Sequence, residues 1–100
     1  MSVLGNRLKE ARLRAKLSQE KLGIEAGLDP MSASARMNRY ELGNRIPDPE
    51  LVERLGKVLQ VPAPYFYAAD DDIARLLLAV GPLPEKERML VVEFAERLLG

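Results

Sequence analysis

The chain has 100 residues, 47% of them apolar and 30% charged, the balance of one small globular domain with a single core. It contains no cysteine and no histidine, which excludes a disulfide framework and thiolate metal sites and removes the usual general base, so no enzyme, cofactor or metal is expected. Its zero net charge hides an asymmetry: residues 1–62 carry eleven Lys/Arg against eight Asp/Glu, and residues 63–100 carry four against seven, which suggests an anionic partner for the first part.

Residues 2–16 fit an amphipathic helix, with Leu4, Leu8, Ala11 and Ala15 on one stripe. Arg7, Lys9, Arg14 and Lys16 fall on the opposite face and are expected in solvent, whereas Arg12 lies beside the stripe. Ser18 is a good N-cap for a short helix from Gln19 to Ala26, and Gly27 suits the left-handed position just past its end. Leu28 follows as a hydrophobic plug. Asp29-Pro30 then offers a cap followed by proline in the first helical position, which predicts a third helix running from there to Glu41 or Leu42, ended by Gly43. At 100° per residue Ala33, Met37 and Tyr40 share the core face of that helix. Ser32, Ala35 and Arg39 point the other way, with Arg36 and Asn38 on the flanks.

Pro47-Asp48-Pro49 stops the chain and restarts it as a helix with Leu51, Val52, Leu55, Val58 and Leu59 in a wide apolar stripe. Val61-Pro62-Ala63-Pro64 breaks that helix, and Tyr65-Phe66-Tyr67 predicts a short fifth helix closing the core. Asp70-Asp71-Asp72 fits a helix start better than a metal site, because no further ligands follow at calcium-loop spacing. Ile73, Leu76, Leu77 and Val80 predict a helix ending at Gly81, and Glu85 to Leu99 predicts a last one. The apolar residues of the last helix cover more than one stripe, more than a single intramolecular contact needs. No apolar run approaches the ~18 residues of a membrane span and no signal-peptide pattern opens the chain, so a cytoplasmic protein is expected.

Two short helices around a glycine turn, the second followed by the basic loop Asn44-Arg45, have the docking geometry of proteins that enter the major groove of duplex DNA. Leu17-Ser18-Gln19-Glu20-Lys21-Leu22, Ala26-Gly27-Leu28 and Arg39-Tyr40-Glu41-Leu42-Gly43-Asn44-Arg45-Ile46-Pro47 together resemble the Cro/lambda-repressor-type helix-turn-helix proteins. The segment Leu51–Val61 is similar to that family's fourth helix, and the resemblance covers roughly residues 4 to 68. Three departures stand out. Lys21 occupies the place of the glutamate or glutamine of a capping box. Gly23 replaces the usual alanine inside the second helix, which costs up to about 1 kcal/mol unless it permits close packing. The segment from Gly27 to Glu41 is four residues longer than usual. Those residues either lengthen the third helix by about 6 Å or widen the turn before it, and Asp29-Pro30 favours the longer helix.

The resemblance implies an all-α fold: a five-helix lambda-repressor-like DNA-binding domain over residues 1–68, with a C-terminal helical pair over residues 69–100. It implies a sequence-specific regulator of transcription, a repressor by expectation, working in the cytoplasm at the nucleoid on an operator of two half-sites. Ser34, Ala35 and Arg39 take the family's base-reading positions, and Ser32, Arg36 and Asn38 join them from the helical face. Arg39 suits guanine O6/N7, Asn38 adenine, and Ala35 a thymine methyl. Gln19, with Lys21 in the same turn and Asn44 and Arg45 in the loop, is expected on phosphates. Arg12 is expected to pair with Glu41, bracing the first helix against the third. A homodimer is expected through Leu90, Val91, Phe94 and Leu98. The alternatives are an antitoxin, which would use the C-terminal part to mask a toxin protein, and a fold-only module that no longer binds DNA.

Overall fold

The computed structural model describes residues 2–100. The elements are α1 (Val3–Arg14), α2 (Gln19–Glu25), α3 (Ala33–Leu42), α4 (Pro49–Leu59), a 3-10 helix (Ala63–Tyr67), α5 (Asp71–Val80) and α6 (Glu85–Leu99). The fold is all-α; no strand occurs among the described residues. Among the described residues no helix is long and apolar enough to cross a membrane.

Local chemistry accounts for most of the boundaries. Ser18 Oγ accepts from Lys21 N at 3.0 Å and starts α2, and Asp48 Oδ1 accepts from Leu51 N at 2.8 Å and starts α4 with Pro49 in its first turn. Gly27, at φ +96°, ends α2 in the left-handed conformation, and Leu28 N–H reaches back to Gly23 O at 2.9 Å. Leu28 is then buried as the plug between helices.

One element contributes after another to a single core. Its largest fully buried side chains are Leu8 of α1, Leu22 of α2, Met37 of α3, Leu51 and Leu55 of α4, and Tyr65 and Phe66 of the 3-10 helix. Each apolar side chain of this size contributes about 1.5–3 kcal/mol by leaving water. Gly23 belongs to the same packing. A Cβ there would lie 3.0 Å from both Ala33 Cβ and Met37 Cγ, so the missing side chain is what lets α2 and α3 approach. Gly5 does the same for α1, since a Cβ would meet Tyr40 O at 2.8 Å and Glu41 O closer still.

The structure corrects the sequence reading at five places. Pro30 does not start α3, which begins at Ala33, so the extra residues widen the turn. Asp29 makes a turn instead of a helix cap: its Oδ1 accepts from Met31 N at 2.9 Å and its carbonyl from Ser32 N at 3.0 Å. Ala15 is the exposed C-cap of α1 and leaves the apolar stripe. Arg7 is buried, not solvated, because it donates to Ala68 O at 2.8 Å and Ala69 O at 3.2 Å. Tyr67 is exposed while Tyr65 and Phe66 pack edge to face at 5.7 Å, so only two of the three aromatics close the core. Finally, α6 buries no residue of its own. The Gly81–Pro84 turn leads it away from the core, and the molecule extends 52 × 26 × 23 Å.

Candidate nucleic-acid interface

On α3 the core face consists of Ala33, Met37, Tyr40 and Glu41. Ser34, Ala35, Asn38 and Arg39 are exposed on the other side, and Ser32 and Arg36 are half-buried at the edges. Beyond Gly43 the loop turns sharply, because Asn44 N–H caps Arg39 O at 2.9 Å. The side chains of Asn44, Arg45 and Ile46 therefore stand exposed beside the end of α3.

Arg36, Arg39, Tyr40, Arg45 and Ile46 line an open cavity of about 280 Å³ at this corner. Among the described residues three guanidiniums surround it and no carboxylate does. Arg36 is held in place by donating to the Tyr40 hydroxyl at 2.9 Å, with its guanidinium over the tyrosine ring at 5.9 Å. Such a corner repels cations and suits an oxyanion with several acceptor oxygens.

Behind the exposed face lies a buried ion pair. Arg12 Nε donates to Glu41 Oε2 at 2.6 Å and Nη2 to Oε1 at 3.1 Å, a two-pronged contact, while Nη1 donates to Leu17 O at 3.0 Å. Gln19 joins it: its Nε2 donates to Glu41 Oε1 at 3.1 Å and to Asn38 Oδ1 at 3.2 Å. Both amide hydrogens of Gln19 are thus engaged by protein acceptors, one buried on Glu41 and one on the exposed Asn38, and a side-chain grip on phosphate would require giving one up. Lys21 is exposed on the first turn of α2.

Three supporting arginines escaped the sequence reading. Arg54 of α4 donates to Ala26 O at 2.6 Å, closing the end of α2. Arg7 ties α1 to the chain after the 3-10 helix and adds Asp71 Oδ1 at 3.0 Å and Glu10 Oε2 at 3.1 Å. Burial works against the charge of Arg7, and the hydrogen bonds and charges of Asp71 and Glu10 outweigh it, so its pKa is raised. Arg14 lies over the Tyr65 ring at 5.6 Å. Arg7 and Arg14 sit only about 40° and 60° around the helix from Ala11, which was the available signal that this edge is not free.

The helix-turn-helix domain family matches residues 3–64, α1 through the start of the 3-10 helix. The chain belongs to the helix-turn-helix family. A solved structure, that of the transcriptional regulator BswR, is 45% identical, covers 95% of this chain and 94% of its own, and superposes with a TM-score of 0.84. No curated protein is significantly similar to the chain. This helix-turn-helix protein is of the Cro/lambda-repressor type. The solved neighbour spans the C-terminal pair as well as the motif.

Proposed function

We propose that this helix-turn-helix protein is a sequence-specific transcriptional regulator that binds duplex DNA with α3 in the major groove. The arginine-lined corner at the end of α3 carries this reading, since three cations without a counter-charge sit where that helix would meet the backbone. Ser34, Ala35, Asn38 and Arg39 form the outward edge for bases, with Ser32 and Arg36 flanking it. Lys21, Asn44 and Arg45 are exposed, and we assign them to phosphates. Repression is the simplest consequence, because a bound regulator excludes other proteins from the same duplex.

The same reading calls for a homodimer on two half-sites, as a lone motif covers few base pairs. Leu90, Phe94 and Leu98 of α6 are 62%, 57% and 74% exposed, and Val91 is half-buried, so the helix carries an apolar face that a second copy would cover. An antitoxin would lay this face on a toxin instead. The neighbour that spans the C-terminal pair is a transcriptional regulator, which favours regulation.

Selection from a random duplex library tests the proposal. An enriched half-site is expected. Arg39→Ala should weaken binding to that site by about 1–3 kcal/mol and relax one base pair. Arg45→Ala should weaken all sequences alike and reduce the salt slope by about 1. Binding that ignores sequence in the parent chain would refute the reading.

A further inference from the structure

The hydrogen bonds behind α3 have a direction, and it starts at a charge. A guanidinium only donates, so Glu41, held by both prongs of Arg12 at 2.6 and 3.1 Å, is an acceptor-only carboxylate. The Gln19 amide must therefore turn its NH2 toward Glu41, which fixes the end of the side chain that lies at 3.1 Å. The same nitrogen is 3.2 Å from the Asn38 amide. Two NH2 groups cannot face each other there, so Asn38 must turn its oxygen inward. Its Nδ2 then remains, on an exposed side chain, with no protein acceptor among the described residues.

We propose that Asn38 reads bases as a donor only, selecting guanine, and that Gln19 is the positioning residue that sets this polarity. The proposal rests on the reading of α3 as the groove helix. Asparagine pairs with adenine by giving a proton to N7 and taking one from N6. Here the oxygen that would take the N6 proton is turned to Gln19. Guanine presents N7 and O6, both acceptors and no donor beside them, so Nδ2 can give a hydrogen to that edge without facing another N–H. Cytosine presents a donor and is rejected; thymine O4, a single acceptor, comes second.

The full chain and its Asn38→Ala, Asn38→Asp and Gln19→Ala variants are taken through random-duplex selection, with helix content checked by circular dichroism. The parent should enrich guanine at one half-site position, where Asn38→Ala loses roughly tenfold in preference. Asn38→Asp still accepts from Gln19 but has no outward donor, and should move that position to cytosine. Gln19→Ala releases the Asn38 amide to rotate and should admit adenine. A parental preference for adenine at the position that Asn38→Ala abolishes overturns the proposal, as does Gln19→Ala leaving guanine selection intact. If Asn38→Ala keeps the parental ranking everywhere, Asn38 reads nothing, and the proposal fails while DNA binding stands. If the parent enriches nothing, the groove-helix reading fails and takes this one with it.

Discussion

Removing one partner of the Arg12–Glu41 pair should destabilise the protein more than removing both. The side chains are 11% and 3% exposed, so either one left alone remains as a charge with almost no water. Stranding a buried charge costs about 3–5 kcal/mol, a fifth or more of the about 5–15 kcal/mol that holds a small domain together. What remains to compensate is small. Arg12→Met leaves Glu41 with the single Gln19 donor at 3.1 Å, and Glu41→Leu leaves Arg12 with Leu17 O at 3.0 Å. The double variant replaces both charges with apolar side chains of comparable length and should lose less than either single change. Urea melts of the four proteins, compared at equal m-values, measure the coupling. Strictly additive losses, or single losses below the ~1 kcal/mol typical of exposed pairs, would refute the argument.

Three further changes probe other contacts. Gly5→Ala should destabilise by about 1–3 kcal/mol in thermal melts, because its methyl would press on the Tyr40 and Glu41 carbonyls and push α1 off the end of α3. Arg7→Met should lose about 1–3 kcal/mol and speed hydrogen exchange around Ala68–Asp71, since two carbonyls lose their donor. Asp71→Asn should change stability by less than about 1 kcal/mol, because Asp71 is 92% exposed. Glutamate at both Leu90 and Phe94 should leave the helix content unchanged and give a monomer in sedimentation at micromolar concentration, where the parent is expected to be a dimer.

What could be read from the sequence follows the range of the interactions involved. Ser18, Gly27 and Asp48-Pro49 act within a few residues, so the starts of α2 and α4 and the end of α2 were visible in the chain. Asp29-Pro30 was not decidable locally, because an aspartate can serve a helix cap or a tight turn equally well. What places the start of α3 is the approach of Ala33 to Gly23, a contact between helices. Arg7 depends on Ala68, sixty-one residues away, and no periodicity within α1 reports that partner. Arg12 and Glu41, twenty-nine residues apart, were matched through the family resemblance and not through any pattern within α1 or α3. The orientation of the Asn38 amide lies further out of reach, since it depends on the order of three hydrogen bonds.

The widened turn before α3 also bears on how this chain is compared with its relatives. Asp29 closes that turn through its own carboxylate and carbonyl, so the added length is absorbed without leaning on α3. The stretch from Met37 to Glu41 keeps its buried and exposed sides, with Glu41 anchored on Arg12. Alignments of this chain therefore have to be pinned at Glu41 and counted backwards. Counting forwards from Gly27 would shift every residue of α3 by four, about one turn, which leaves the core side nearly in place and so hands the outward roles to the wrong residues without disturbing the apolar pattern. Trimming or grafting the Asp29–Met31 turn becomes an edit to connection length, provided Ser32 is kept, because its carbonyl accepts from Arg36 N at 2.9 Å and starts α3.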